Sequence, residues 1–115
     1  MDIGQNCAES YINRKLDATA VVCFNDAIAI GFMGYIQEKG IKVPGDLSIV
    51  GIDGHQQGCY TFPKLTSVSI DPFHHGSECA RTLIDIIENK KTEPIPVEIK
   101  LLIRKSTKPL KQQKK

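Results

Sequence analysis

The run TAVVCF at residues 19–24 contains no charged side chain and ends directly in Asn25 and Asp26. A continuous run of this kind, rich in β-branched residues, is typical of a strand that is covered on both faces, as in a parallel sheet. The run LSIVGID at residues 47–53 is a second strand of the same type, and it ends in Asp53. A helical segment between two such strands predicts a βαβ unit.

Three segments have apolar residues at helical spacing. Residues 3–16 form an amphipathic helix with apolar steps of three and four. Residues 26–39 are apolar around nearly the whole helix, which predicts burial on more than one side, and Gly31 and Gly34 would let another element approach closely. The third helix, residues 72–89, follows an Asp-Pro start signal. Its apolar stripe consists of Phe73, Ala80, Leu83, Ile84 and Ile87.

A short extended run at residues 65–70 and an alternating run at 96–105 complete the order α-β-α-β-β-α-β. The last strand has one polar face, which is typical of a sheet edge. The sequence therefore predicts an α/β layer fold with a mostly parallel sheet.

Composition excludes several classes of protein. The chain has 115 residues, of which 41% are hydrophobic and 24% charged, as in globular proteins generally. No run of eighteen apolar residues exists and the first residues do not resemble a signal peptide, so we expect a cytoplasmic protein without a membrane segment. The net charge of +2 comes from a basic tail at residues 108–115, which is predicted to be disordered. Residues 1–107 carry 11 basic and 13 acidic residues, which argues against a nucleic-acid-binding face.

Residues capable of catalysis or metal binding are present but form no recognisable pattern. The histidines lie at positions 55, 74 and 75, and there is no Gly-x-Ser-x-Gly, His-Glu-x-x-His or glycine-rich phosphate loop. No two cysteines fall within four residues of each other, so neither zinc nor a dithiol site is indicated. We therefore expect no enzyme activity, no metal and no cofactor, with reduced cysteines. The cysteines are Cys7, Cys23, Cys59 and Cys79.

Polar side chains follow both central strands. In a parallel sheet, ligands bind beyond the carboxyl ends of the strands. Asn25 can donate and accept hydrogen bonds, and ionised Asp53 accepts only, so the pair suits a ligand rich in hydroxyl or amino groups. The residues alone leave a second interpretation open, in which Asn25 and Asp26 only cap a helix and Asp53 only forms a turn.

The order of these motifs closely resembles the LacI/GalR family of bacterial transcriptional regulators. The resemblance is carried by ATAVVCFNDAIAIGFMGYIQEKGIKVPGDLSIVGIDG at residues 18–54, by YTFPKLTSV at 60–68 and by LLIRKST at 101–107. It implies an effector-binding domain of the periplasmic-binding-protein type, with two α/β lobes around a small ligand. Residues 1–107 would be part of that domain, namely the second lobe plus a crossover helix at 72–89.

The resemblance also implies site residues. Asn25 and Asp53 match positions that contact the effector, while Asp26 and Gly54 would support the pocket. Many members have Gln at the position of Ile70, where it reaches the ligand, and an apolar side chain cannot make that hydrogen bond.

The implied function is the effector-sensing and dimerisation part of a LacI-type regulator without its DNA-binding headpiece. Its partners would be a sugar or similar polar metabolite, a second copy of the chain, and operator DNA only through the missing headpiece. In the family, the helix at 26–39 and the loop at 60–65 contribute to the dimer face. The alternative function is that of part of a periplasmic sugar-binding protein of a transporter. In the family, the apolar stripe of the third helix would pack against the absent lobe. We therefore expect either that copies of this chain associate with each other or that this helix packs in a place unlike that in the family.

Overall fold

The computed structural model describes residues 2–110. These residues form three α-helices and four strands, with one short 3-10 helix between the second and third strands. In chain order they are α1 (Ile3–Asn13), β1 (Ala20–Val22), α2 (Asp26–Glu38), β2 (Ser48–Asp53), the 3-10 helix (Gln56–Cys59), β3 (Thr66–Ile70), α3 (Pro72–Ile87) and β4 (Ile99–Leu102). The predicted order of helices and strands is confirmed, whereas the 3-10 helix was not predicted.

The four strands form one sheet in the order β1-β2-β3-β4. β1 and β3 both pair in parallel with β2, with Val22 opposite Val50 and Val50 opposite Thr66. β4 pairs antiparallel with β3 and lies at the edge. The prediction of a mostly parallel sheet that ends in an edge strand is confirmed.

Capping side chains and apolar side chains account for where the helices begin and how they pack. Asp71 caps α3 by accepting hydrogen bonds from the N–H groups of Phe73 and His74 at 3.1 and 3.0 Å. α2 packs between α1 and the sheet, which explains why it is apolar around most of its circumference. Tyr11 of α1 meets Phe32 of α2 edge to face, with ring centroids 6.0 Å apart. The buried apolar core consists of Ala8, Cys23, Ala29, Phe32, Met33, Ile36, Leu47, Ile49 and Leu65.

The helices cover one face of the sheet, and the other face is open at β1. Val22 is 70% exposed and Phe24 is 82% exposed, so the prediction that the first strand is covered on both faces is wrong. α3 does not cover this face, since none of its residues is buried. Within residues 2–110, no helix is long and apolar enough to cross a membrane.

The basic tail is described only in part. The N–H of Lys108 donates to Ser48 Oγ at 3.3 Å, and its Nζ donates to the carbonyl of Gly45. The rest of the tail that the sequence predicts to be disordered, residues 111–115, lies outside the described residues.

Candidate binding site at the carboxyl edge of the sheet

Asn25 and Asp53 lie at the same edge of the sheet. β1 and β2 are adjacent and parallel, and their register places Val22 opposite Val50, three residues before each of the two polar side chains. Asn25 is the N-cap of α2, and its Oδ1 accepts a hydrogen bond from the Ile28 N–H at 2.8 Å. Its Nδ2 group has no partner among the described residues, so this side chain caps the helix and still retains a donor.

Asp53 ends β2 in an unusual backbone conformation. Its φ is +114°, a region that residues other than glycine rarely adopt and that costs about 1–3 kcal/mol. The carboxylate is 44% exposed and lies 3.5 Å from His55 Nε2. It therefore remains able to accept hydrogen bonds from a ligand.

Asp26 is fully buried and accepts two hydrogen bonds. Its Oδ1 accepts from the Ser67 hydroxyl at 2.6 Å, and its Oδ2 accepts from the His55 N–H at 2.7 Å. It is also the first residue of α2, where the helix dipole favours a negative charge. A Cβ at Gly51 would lie 2.1 Å from Asp26 Oδ1, so β2 needs glycine at that point. Asp26 thus fixes the loop that follows β2.

Gly54 is held from the neighbouring strand. Its N–H donates to Ser67 Oγ at 3.0 Å, and its φ is +72°. A Cβ at Gly54 would lie 2.5 Å from Ser69 Oγ, so the tight turn excludes a side chain there. Ser67 is fully buried and was not among the site residues that the sequence predicts. The available signal was the pair Ser67 and Ser69 within the extended run at residues 65–70.

An open cleft of about 570 Å³ lies beside this turn. It contains Asp53 and Gly54, but Asn25 is not part of its lining. Ile70 and His75 also line it, and the histidine was not predicted as a site residue. The lining residues are Asp53, Gly54, His55, Gln56, Ser69, Ile70, Pro72, His75 and Gly76.

None of the cysteines is among the residues that line this cleft. All four cysteines are free, and only Cys23 is buried. Burial, followed by the nearby Cys7, raises the pKa of the Cys23 thiol from 9.0 to about 11. His75 Nε2 lies 4.0 Å from Cys79 Sγ on the exposed surface of α3. The described part of the chain contains no group of three His, Cys, Asp or Glu side chains arranged to hold a metal ion.

Known proteins match nearly the whole chain. A family model described as a periplasmic binding protein-like domain matches residues 3–107. The HTH-type transcriptional repressor PurR of Mannheimia succiniciproducens is 35% identical over 107 residues, which are 91% of this chain and 32% of that protein. The chain spans between about a quarter and a third of the length of the curated relatives it matches.

Solved structures match with the same fold. The transcription regulator CcpA of Lactococcus lactis has a TM-score of 0.83 and 30% identity, covering 91% of this chain and 39% of its own. A LacI family transcriptional regulator from Enterococcus faecium, solved with bound ribose, has a TM-score of 0.83 and 32% identity, covering 94% of this chain and 40% of its own.

Proposed function

Because the chain belongs to the periplasmic binding protein-like domain family, we propose that it is the effector-sensing part of a LacI-type transcriptional regulator. Its resemblance to that family in sequence is confirmed by relatives that are transcriptional regulators. The alternative, a sugar-binding protein of a transporter, is not favoured by these relatives. On the same grounds the chain acts by binding and not as an enzyme.

The observation that supports this function is the turn at residues 53–55 beside the cleft. Asp53 lines the cleft, and the N–H groups of the next two residues, Gly54 and His55, are held by hydrogen bonds to Ser67 Oγ and Asp26 Oδ2. A preorganised acceptor of this kind binds hydroxyl or amino groups at low entropic cost. Asn25, the N-cap of α2 at the same edge of the sheet, adds the donor that Asp53 lacks.

The expected effector is a sugar or a similar polar metabolite. Ile70 lines the cleft in place of a hydrogen-bonding side chain and supplies an apolar wall. A sugar ring satisfies both surfaces, because its hydroxyl groups reach the polar residues while its C–H face packs on the isoleucine. The E. faecium regulator that matches this chain binds ribose, which is a compound of this class.

Signal transmission requires the effector to favour one arrangement of two lobes. An effector shifts such an equilibrium only by its difference in affinity for the two states. β3 ends beside the cleft proposed to bind the effector, and Asp71 connects it to α3, the helix predicted to cross to the other lobe. Effector contacts near Ile70 thus lie directly on the connection between the lobes.

Two further partners, a second copy of the chain and operator DNA, and a location follow from this function. A second copy of the chain would pack on α2 and on the loop at residues 60–65, where Tyr60 is 78% and Phe62 is 92% exposed. Operator DNA would contact a separate headpiece, as the name of the HTH-type relatives implies for those proteins. Such a regulator works in the cytoplasm, away from any membrane.

The test is Asp53→Ala in the full-length protein. Operator binding is measured by fluorescence anisotropy while ribose and related sugars are titrated. Loss of a charge-assisted hydrogen bond costs about 1.5–3 kcal/mol, which is a ten- to hundredfold loss of effector affinity. Operator affinity without effector should stay unchanged.

Asp17→Ala is the matched control, since Asp17 is an exposed carboxylate in the loop before β1. Asp53→Asn keeps the side-chain size and tolerates a positive φ, so it should give a smaller loss than alanine. An effector response of Asp53→Ala equal to that of the control contradicts the assigned role.

A further inference from the structure

We propose that Ser67 is a positioning residue for the carboxyl edge of the sheet, where the effector is expected to bind. Its hydroxyl group holds the turn at residues 53–55 in the conformation that places Asp53 at the cleft. Ser67 lies on β3 and is fully buried, so it does not touch the cleft itself. The inference rests on the effector role proposed for Asp53 and extends it to the residue that determines where that carboxylate lies.

The hydroxyl of Ser67 uses both of its hydrogen-bonding functions at this turn. Its oxygen accepts the N–H of Gly54 at 3.0 Å, and its hydrogen is donated to Asp26 Oδ1 at 2.6 Å. The other oxygen of the same carboxylate accepts the N–H of His55 at 2.7 Å. The two main-chain N–H groups that follow Asp53 are therefore tied to one buried carboxylate, one directly and one through Ser67.

The backbone of the turn requires such restraint. Asp53 has a φ of +114° and Gly54 has a φ of +72°. A residue other than glycine stays in this region only when its surroundings fix it there. The Ser67 hydroxyl joins three elements at this point, namely β3, the turn after β2 and the start of α2. Without it, the half-buried Gly54 N–H and one oxygen of the fully buried Asp26 would lose their partners.

Ser106 provides a matched control for the general cost of losing a buried serine. It is also fully buried, donates to the Ile49 carbonyl at 2.6 Å and accepts from the Thr66 N–H at 2.8 Å. Its hydroxyl thus makes one donated and one accepted hydrogen bond beside the same sheet, but neither involves the turn at residues 53–55. Ser67→Ala and Ser106→Ala should both lower the stability of the protein.

The experiment compares the two variants in the full-length protein by NMR, without a ligand. The three-bond HN–Hα coupling of Asp53 reports its φ, and hydrogen exchange reports the protection of Gly54 and His55. We expect Ser67→Ala to change the Asp53 coupling and to speed exchange at Gly54 at least tenfold more than Ser106→Ala does. Ser67→Cys keeps the size of the side chain with a weaker donor and acceptor, so it should shift both values in the same direction by less.

The positioning role is overturned if Ser67→Ala leaves the Asp53 coupling and the Gly54 exchange rate unchanged, or if Ser106→Ala changes them equally. A ribose titration separates this inference from the proposed function. If Ser67→Ala changes the coupling while Asp53→Ala leaves ribose affinity unaltered, the positioning stands and the effector role of Asp53 fails. If Asp53→Ala weakens ribose binding while Ser67→Ala leaves the coupling and the affinity unaltered, the positioning role fails alone.

Discussion

Asn25 has two polar atoms with different roles. Oδ1 caps α2 through the Ile28 N–H, whereas Nδ2 remains available at the carboxyl edge of β1. Serine is also a good N-cap but has no amide group, so Asn25→Ser separates the two roles. We expect this variant to keep the stability of the protein and to weaken effector binding, as measured by calorimetric titration.

Asn25→Ala is the companion variant, because it removes the cap and the amide together. It should lower the free energy of unfolding by about 1 kcal/mol in a denaturant titration and weaken binding as much as the serine variant does. Full effector affinity in Asn25→Ser would assign the residue to helix capping alone.

The sequence predicted the position of some candidate site residues but not of others. The position of Asn25, Asp26 and Asp53 at the carboxyl edge could be predicted because they follow apolar strands, and adjacent parallel strands bring their carboxyl ends together. Ser67 could not be found in this way, since a buried serine is recognisable only when its partners from two other elements are known. The position of His75 in the lining of the cleft could not be predicted either, because it depends on where α3 begins relative to β2.

At the scale of elements, the contact between α1 and α2 depends on Gly4. A Cβ at this position would lie 2.4 Å from the Ile28 carbonyl oxygen and 2.7 Å from the Phe32 nitrogen. Both atoms belong to the backbone of α2, so Gly4→Ala must push the two helices apart. We expect the variant to lose about 1–3 kcal/mol of unfolding free energy, measured by urea denaturation.

Gly34→Ala is the matched control for this substitution. Gly34 lies within α2, and a Cβ there would meet nothing within 4 Å. Alanine should therefore stabilise the helix by about 0.5–1 kcal/mol. Equal effects of the two substitutions would contradict a close packing role for Gly4.

Periodicity predicted the elements but not which glycine serves as the contact. The sequence indicated Gly31 and Gly34 as points of close approach, because they interrupt a helix that is otherwise apolar. Gly31 does meet a neighbour, the side chain of Asp2, but nothing approaches Gly34, and backbone meets backbone at Gly4. A helical pattern shows which side of a helix is apolar and not at what height the next helix crosses it.

The whole molecule is more extended than its length requires. The radius of gyration is 18.3 Å, whereas a compact domain of this size has about 13 Å. The difference arises because α3 follows β3 without packing on the sheet and none of its residues is buried. The sequence could not fix the place of α3, since an apolar stripe predicts that a helix is covered but not by which surface.

The exposed stripe of α3 leads to a prediction about association. Phe73 is 84% exposed, and Leu83, Ile84 and Ile87 are each more than half exposed. Burying a large apolar side chain contributes about 1.5–3 kcal/mol, so this stripe alone represents several kcal/mol of unused stabilisation. Apolar surface of this extent normally finds a partner. In the chain by itself, a second copy can cover the stripe by two-fold symmetry, a contact distinct from the one on α2 and the loop at residues 60–65 that is proposed for the full-length regulator.

We therefore expect the chain by itself to form dimers at micromolar concentration in multi-angle light scattering. Leu83→Lys together with Ile87→Lys should shift the dimer toward monomer, because both changes place charges in the stripe. Thr82→Lys, on the opposite side of α3, is the control and should leave the dimer intact. A monomer at these concentrations, or a dimer unaffected by the double substitution, would mean that the stripe is not the contact between copies.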